Sequence, residues 1–148
     1  MTILVSACLM GLPGRYDGAV KEPHPGVAEL VKKHTLVPVC AEVAGGMPIP
    51  RPPAEIQGDR VINSEGRDVT EFYLRGAQAV LEMATILGAK AAVLKQRSPS
   101  CGSGTVHNGK FDGGLVDLFD DGFGFTGAFY SDNKLHFVCS VLPAVRIF

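Results

Sequence analysis

Three cysteines stand where apolar runs give way to segments rich in small residues. Cys8 follows TILVSA, Cys40 follows LVPV, and Cys101 lies in the loop sequence RSPSCGSG after AAVLK. None has a CxxC partner. The fourth, Cys139, lies inside the apolar run HFVC, where we expect it to pack as a small buried hydrophobe. The first three are therefore the candidates for chemistry.

Three thiols far apart in sequence allow several sites. Structural zinc usually takes four ligands, often in CxxC pairs, so zinc is possible but not favoured. An iron-sulfur cluster accepts ligands from scattered loops, and three cysteines on a 4Fe-4S cluster leave one iron open to act as a Lewis acid. The remaining alternatives are that the three cysteines are unrelated buried thiols, or that one of them is a catalytic nucleophile. Spacing alone leaves these alternatives open.

The elements that position these cysteines alternate between strands and helices. Short apolar runs predict strands, and apolar residues at helical spacing predict helices that open at His24 and at Asp68. Pro38 indicates an edge strand or a strand end. The prolines and glycines of residues 45–58 predict a long irregular loop, and the glycines of 109–127 continue toward a last helix. The predicted strands are Ile3–Ser6, Leu36–Val39, Ala91–Lys95 and Leu135–Val141, and the helices are 24–33, 68–87 and 129–133.

This order predicts an α/β fold: a single-domain, open, mostly parallel sheet with helices on both faces, similar to a Rossmann fold. Ligands of such sheets bind beyond the carboxyl ends of the strands. Since Cys8, Cys40 and Cys101 each follow a predicted strand, we expect them to meet at that edge. The predicted helical stripe of 69–87, which includes Tyr73, is assigned to core packing.

Composition bounds the function. The 148 residues suit one domain, 1–148, with the role of the tail 134–148 left uncertain. Hydrophobic residues make up 46%, charged residues 20%, and the formal net charge is −1, which gives no basic stripe for nucleic acid. The start has no basic signal region and no run is long enough to span a membrane, so we expect a cytoplasmic protein with reduced thiols.

Five stretches, in order, resemble one known family. They are SACLMGLPGRYDG (6–18), VPVCAEVAGGMPIPRPPAEI (37–56), GRDVTEFYLRGA (66–77), AAVLKQRSPSCGSG (91–104) and GKFDGGLV (109–116). Together they are similar to the thiouracil desulfidase family. The resemblance implies an enzyme that removes sulfur from thiolated pyrimidines without redox chemistry and releases hydrosulfide. It also implies a 4Fe-4S cluster with three cysteine ligands and one open iron that binds the substrate sulfur.

The resemblance assigns roles to particular residues. The ligands fall on Cys8, Cys40 and Cys101, and Glu42, close to Cys40, is the expected general base for water. Ser98 is expected to relay a proton or to orient the base or the substrate. Without the resemblance, Glu42 reads as a solvated loop carboxylate and Ser98 as a turn residue.

Weaker candidates surround these positions. We expect His107 to lie at the surface. We expect position 102 to be a glycine because the backbone there closely approaches a cluster. Asp17-Gly18 is equally a simple turn, and Arg51 or Glu55 is alternatively a brace for the cluster loop. Five residues are candidate substrate contacts: Arg15, Tyr16, Asp17, Arg51 and Glu55.

Two departures from the family and two alternatives complete the hypothesis. Many members carry a further cysteine where this chain has Gly14, and the segment 134–148 does not match the family's usual ending.

The expected partner is a small thiopyrimidine, namely 2-thiouracil, 4-thiouracil or a 4-thiouridine nucleotide, with no nucleic acid or membrane, and the chain acts as a monomer or homodimer. The alternatives are a non-enzymatic iron-sulfur or zinc binding module and an enzyme with a single cysteine nucleophile.

Overall fold

The computed structural model describes residues 1–102 and 105–117, together with the backbone of 136–140. The predicted helix 129–133 and the rest of the tail lie outside these residues. In chain order the elements are β1 (Thr2–Ser6), a 3-10 helix (Ala7–Met10), α1 (Pro25–Leu30), β2 (Thr35–Val39), α2 (Ala41–Ala44), β3 (Ala54–Gln57), β4 (Arg60–Asn63), α3 (Thr70–Ile86), β5 (Ala91–Lys95), β6 (Thr105–His107), β7 (Leu115–Asp117) and β8 (His136–Ser140).

The central sheet is parallel and has the strand order β2-β1-β5-β8. In register, Leu4 of β1 pairs with Val37 of β2 on one side and with Ala92 of β5 on the other. Pro38 lies on β2, at the edge of the described sheet, where a missing backbone donor costs no interior ladder bond. The four predicted strands of the parallel sheet and the edge position of Pro38 are confirmed, and the predicted helix 129–133 stays a prediction.

Helices cover both faces of this sheet, because alternate side chains of a strand point to opposite sides. Ile3 and Val5 pack with Val27 of α1 on one face. Leu4 packs with Val80 of α3 on the other. Each fully buried aliphatic side chain of this kind stabilises the fold by about 1.5–3 kcal/mol relative to its exposed state. The predicted two-sided α/β architecture is therefore confirmed. Among the described residues, no helix is both long and apolar enough to cross a membrane.

Two predictions about loops were wrong in part. Residues 54–57, placed in the irregular segment 45–58, form β3 and pair antiparallel with β4. Gly58, at φ 64°, supplies the left-handed conformation that the two-residue turn between these strands requires. The glycine-rich region after position 109 is likewise not all loop, because β7 pairs with β6. The small strand and turn predicted over Asp59–Gly66 is confirmed as β4, while proline and glycine content concealed β3 and the pair of β6 and β7.

Candidate functional site

The carboxyl ends of β1, β2 and β5 bring three cysteines to one cavity of about 580 Å³. Cys8 lies in the 3-10 helix after β1, Cys40 immediately precedes α2 after β2, and Cys101 lies in the loop after β5. None of the three forms a disulfide, and all three are half-buried. The structure thus places these thiols where the predicted parallel sheet puts them. The side chain of Cys139 on β8 is outside the described part of the chain.

The cavity keeps two of these thiols neutral. Burial raises the pKa of Cys101 to about 12, although a hydrogen bond from Ser100 opposes the shift. Burial also raises the pKa of Cys8, against the opposing charge of Lys95. The neighbouring Cys40 contributes to both pKa shifts, so the three thiols are near enough to interact electrostatically.

This donor set suits a soft metal group. Thiols are ligands for zinc and for iron-sulfur clusters, and a bound metal reverses a raised thiol pKa because it stabilises the thiolate. Among the described residues no three His, Cys, Asp or Glu side chains converge as a ready metal site. The residues fit such a group in chemistry and shared location, while the ligation geometry is not formed.

Gly14 leaves space beside one of these thiols. Its carbonyl oxygen lies 3.6 Å from Cys40 Sγ, close enough to accept a weak S–H hydrogen bond. A Cβ at position 14 would stand 3.7 Å from Cys40 Sγ, which is an ordinary contact distance. The lack of a side chain there widens the cavity next to Cys40.

Close packing of α2 on α3 positions Cys40 and the residues after it. A Cβ on Gly45 would lie 1.9 Å from the Phe72 carbonyl oxygen. A Cβ on Gly76 would lie 1.8 Å from the Ala41 carbonyl oxygen. Because neither position has room for a side chain, the two helices meet backbone to backbone and the start of α2 is fixed at the cavity.

Glu42, in the first turn of α2, is held by a buried ion pair. Arg51 Nε and Nη2 each lie 2.7 Å from Glu42 Oε2. The Arg51 side chain is 3% exposed and the Glu42 side chain is 12% exposed. Arg51 also donates from Nη2 to the Gly14 carbonyl at 2.7 Å and from Nη1 to the Pro48 carbonyl at 3.2 Å. Glu42 is thus no solvated loop carboxylate. The hypothesis that Arg51 contacts substrate loses support, because its guanidinium is directed to Glu42 and to two carbonyls.

Ser100 connects this carboxylate to the third cysteine and was missed by the sequence analysis. The buried Ser100 hydroxyl donates to Glu42 Oε1 at 3.0 Å and lies 3.5 Å from Cys101 Sγ. The predicted participant, Ser98, has its Oγ 2.9 Å from Ser100 Oγ. Ser98 therefore reaches Glu42 only through Ser100 in this arrangement. The sequence places a serine on each side of Pro99, and nothing in this local pattern indicates which of the two contacts Glu42.

The loop that carries these serines is closed by its own backbone. The Gly102 N–H donates to the Ser98 carbonyl at 2.8 Å. A Cβ on Gly102 would come 2.7 Å from that carbonyl oxygen. The turn itself therefore requires a glycine here, and the expected reason, close approach to a cluster, stays a prediction.

Tyr73 is a second residue of the site that the sequence analysis missed. It lies on the buried side of α3, as the helical stripe predicts, but it also lines the cavity and its hydroxyl is hydrogen-bonded to Glu42. Burial, followed by the negative charge of Glu42, raises the pKa of Tyr73 far above its usual value. Tyr73 therefore remains a neutral donor to the carboxylate.

The first loop is braced internally. Arg15 Nη2 lies 2.6 Å from Asp17 Oδ2, and Asp17 Oδ1 accepts from the Ala19 N–H at 3.0 Å. The Arg15 hydrogen bond, with that of Ala19, lowers the pKa of Asp17 to about 2. Arg15 and the half-exposed Tyr16 line the cavity, whereas Asp17 does not. The turn interpretation of Asp17 is the better supported one.

A second carboxylate lines the same cavity. Glu55 on β3 is buried, and its Oε2 accepts from the Phe111 backbone N–H at 3.1 Å. His107, which was expected at the surface, is half-buried and lines the cavity, so that expectation was wrong. The hairpin of β6 and β7, which was not predicted, brings His107 there.

A parallel α/β sheet whose strand ends present three thiols beside a buried carboxylate defines a class of soft-metal site with a candidate base. Comparison with known proteins places the chain within that class. It belongs to the 2-thiouracil desulfurase family, whose profile matches residues 3–140.

Two relatives show how far the likeness extends. The uncharacterized protein YbbK of Bacillus subtilis (strain 168) is 40% identical over 121 residues, which cover 75% of this chain and 80% of that protein. A solved structure of a [4Fe-4S]-dependent thiouracil desulfidase, TudS, is 41% identical and covers 94% of this chain and 90% of its own, with a TM-score of 0.84. The sequence-based resemblance and the α/β fold class are confirmed.

Proposed function

We propose that this chain hydrolyses the thiocarbonyl group of a small thiolated pyrimidine to the oxo form and releases hydrosulfide. The substrate is 2-thiouracil, 4-thiouracil or a 4-thiouridine nucleotide. Membership of the 2-thiouracil desulfurase family supports this reaction. The observation that carries the proposal is the placement of Glu42 in the same cavity as three thiols, with Ser100 between it and Cys101.

In this proposal Cys8, Cys40 and Cys101 hold a 4Fe-4S cluster and leave one iron without a protein ligand. The similar TudS structure is named as [4Fe-4S]-dependent, and the three thiols on one cavity are suitable donors. When bound, the cluster supplies a Lewis acid for the substrate sulfur. The space beside Gly14 helps to accommodate such a bulky group next to Cys40.

The protein's own residues then prepare water for attack. Glu42 takes one proton from water while the water oxygen adds to the ring carbon that bears sulfur. As the carbonyl forms, the remaining hydroxyl proton passes to the sulfur and the carbon–sulfur bond breaks. The sulfur leaves as hydrosulfide, so water supplies the new oxygen and no electron donor is needed. Arg51 fixes Glu42 through Oε2, which leaves Oε1 toward the hydroxyl of Ser100.

Ser100 and Ser98 supply a route for the proton beyond Glu42. Their hydroxyls are 2.9 Å apart, and Ser100 touches Glu42 Oε1 at 3.0 Å. A hydroxyl can donate and accept at once, so this chain can reorient as the carboxylate gains or loses a proton. Ser98 thereby keeps the relay role that was predicted for it, with Ser100 as the direct contact.

A free base or nucleotide suits the cavity better than a polymer does. A volume of about 580 Å³ lies within the range of small-molecule sites. The net charge of −1 offers no broad basic surface for a nucleic-acid backbone. We propose a cytoplasmic enzyme that acts on small molecules, as a monomer or homodimer.

The general-base role is tested by measuring hydrosulfide release from 2-thiouracil and 4-thiouracil under anaerobic conditions. Replacing Glu42 by glutamine is expected to lower kcat about 100-fold or more, since positioned general bases contribute roughly that much. The matched control is Glu71→Gln, an exposed carboxylate in the first turn of α3. Equal turnover in Glu42→Gln and the control would refute the assignment.

Cysteine variants separate the cluster enzyme from the alternatives. Cys8→Ser, Cys40→Ser and Cys101→Ser are each expected to lose both the visible absorbance of the cluster and the activity, whereas Cys139→Ser keeps both. A single-nucleophile enzyme would lose activity only in one variant. A coloured wild-type protein with no turnover of either thiouracil would favour the binding module.

A further inference from the structure

A group of residues on β3, on β6 and in the loop before β7 lines the cavity but has no part in the proposed chemistry. It comprises Glu55, His107 and Phe111, and we refer to it as the ring wall. Glu55 and Phe111 are joined by the hydrogen bond from the Phe111 N–H to Glu55 Oε2. The group combines an acceptor, an imidazole and an aromatic ring at one cavity.

The Glu55 carboxylate has spare capacity to accept hydrogen bonds. The residue is 8% exposed. Within residues 1–102 and 105–117, its carboxylate accepts the single hydrogen bond from Phe111, and none of the ion pairs formed there includes it. Oε1 is not among the solvent-shielded polar atoms of these residues that lack a partner, and Glu55 lines the cavity. Oε1 is therefore available to a donor that enters with a ligand.

Phe111 is held in an unusual backbone conformation beside the cavity. Its φ is 57°, a left-handed value that a bulky residue seldom adopts, and the residue lines the cavity although it is 39% exposed. The loop is anchored to β3 twice more, through the hydrogen bond from Gln57 Nε2 to the Gly109 carbonyl at 2.7 Å and through Gly109 itself. A Cβ on Gly109 would lie 2.7 Å from the Ile56 carbonyl oxygen.

His107 adds a polar atom that lacks a partner. Its Nδ1 is shielded from solvent and makes no hydrogen bond within the described part of the chain. A buried ring nitrogen without a partner needs an explanation, such as an ordered water or a ligand group. Because Nδ1 is shielded from solvent, a ligand meets His107 through the part of the residue that lines the cavity beside Glu55 and Phe111.

We propose that the ring wall recognises the substrate as a planar heterocycle with an unsubstituted ring N–H. Phe111 stacks on the face of the ring, Glu55 Oε1 accepts the ring N–H beside the carbonyl or thiocarbonyl group, and His107 contacts a further polar atom of the ring. This inference rests on the proposed function and specifies the substrate class: lactam or thiolactam bases, with rejection of derivatives methylated at the ring nitrogen that Glu55 contacts.

The closing experiment measures uracil binding by calorimetry to the cluster-loaded protein, together with KM and kcat for 2-thiouracil. Glu55→Gln and Phe111→Leu are each expected to weaken uracil binding about tenfold, because a charged hydrogen bond or a base–aromatic stack contributes roughly that factor. KM is expected to rise more than kcat falls. Phe111→Tyr, which retains an aromatic face, is expected to restore binding.

Matched controls and outcomes keep the test separate from the proposed function. Leu115→Ala changes an exposed residue of the same hairpin that does not line the cavity, and it is expected to leave uracil affinity unchanged. In the wild-type protein, one of the two ring N-methyluracils is expected to bind at least about tenfold more weakly than uracil.

Unchanged uracil affinity in both Glu55→Gln and Phe111→Leu would overturn the ring wall, whatever the turnover. So would wild-type binding of both N-methyl isomers as tight as that of uracil. Failure of the wild-type protein to release hydrosulfide would instead refute the proposed function. Variants that keep the visible absorbance and the melting temperature of the wild type exclude misfolding as the cause.

Discussion

Two nitrogens of Arg51, Nε and Nη2, both lie 2.7 Å from one carboxylate oxygen of Glu42, Oε2. This geometry fixes the carboxylate from one side and leaves Oε1 to Ser100. The pair is buried, so its removal differs in kind from the loss of a surface ion pair. Breaking one partner leaves an uncompensated charge in a poorly solvated place, at a cost of about 3–5 kcal/mol.

Arg51→Met is therefore expected to reduce the free energy of unfolding by about 3 kcal/mol, as measured by urea denaturation. The double variant Arg51→Met, Glu42→Leu is expected to recover part of this loss, because no lone charge remains. Arg60→Met is the control: its pair with Asp68 is exposed, so the loss is expected to stay below about 1 kcal/mol. Equal losses for Arg51→Met and Arg60→Met would contradict a buried-pair role.

The two serines are expected to act as one chain. Removing the Ser100 hydroxyl lowers kcat about tenfold or more, since a hydrogen bond to a charged group is worth about 1.5 kcal/mol or more. Because Ser98 reaches Glu42 through Ser100, the double variant Ser98→Ala, Ser100→Ala should be no slower than Ser100→Ala alone. Ser100→Thr keeps a hydroxyl and serves as the control. If the fold-decrease in kcat of the double variant equals the product of the decreases in the two single variants, the serines act independently.

The contact between α2 and α3 sets the position of the candidate base. Gly76→Ala is expected to destabilise the protein by about 2 kcal/mol, because its Cβ would meet the Ala41 carbonyl at 1.8 Å and force the helices apart. Activity should fall as well, since Glu42 moves with α2. Gln78→Ala, at an exposed position of α3, is expected to change stability by no more than about 0.5 kcal/mol. A fully stable and active Gly76→Ala protein would argue against this close packing.

Asp68 gives the protein an acid-sensitive contact at the start of α3. Hydrogen bonds from the Thr70 hydroxyl and N–H, followed by that from Arg60, lower the pKa of Asp68 to about 2, from an ordinary value of 3.8. A lowered folded-state pKa means that the stabilisation is complete above the ordinary value and is lost as pH falls through about 2. The wild-type melting temperature should exceed that of Asp68→Asn at neutral pH, and the gap should narrow toward pH 2. The control Asp59→Asn, in an exposed turn, should show no such convergence.

The main strands and the long helix were predictable because their signals are local. Apolar runs such as those of β1 and β5 mark buried strands, and the helical stripe of α3 marks a buried face. The parallel order then brings Cys8, Cys40 and Cys101 to one edge by topology alone. The pairing of β3 with β4 was not predictable, since prolines next to β3 hid a short strand that is defined only by its partner.

The sequence by itself determined the fold class, the family and the edge at which the cysteines gather, because periodicity and motif order are properties of the chain. Tertiary structure alone decided which side chains touch. It chose Ser100 over Ser98 as the contact of Glu42, turned Tyr73 from a core residue into a donor, and joined Glu55 to Phe111. Such contacts link residues far apart in sequence, and they depend on how closely helices and loops pack, which no local pattern records.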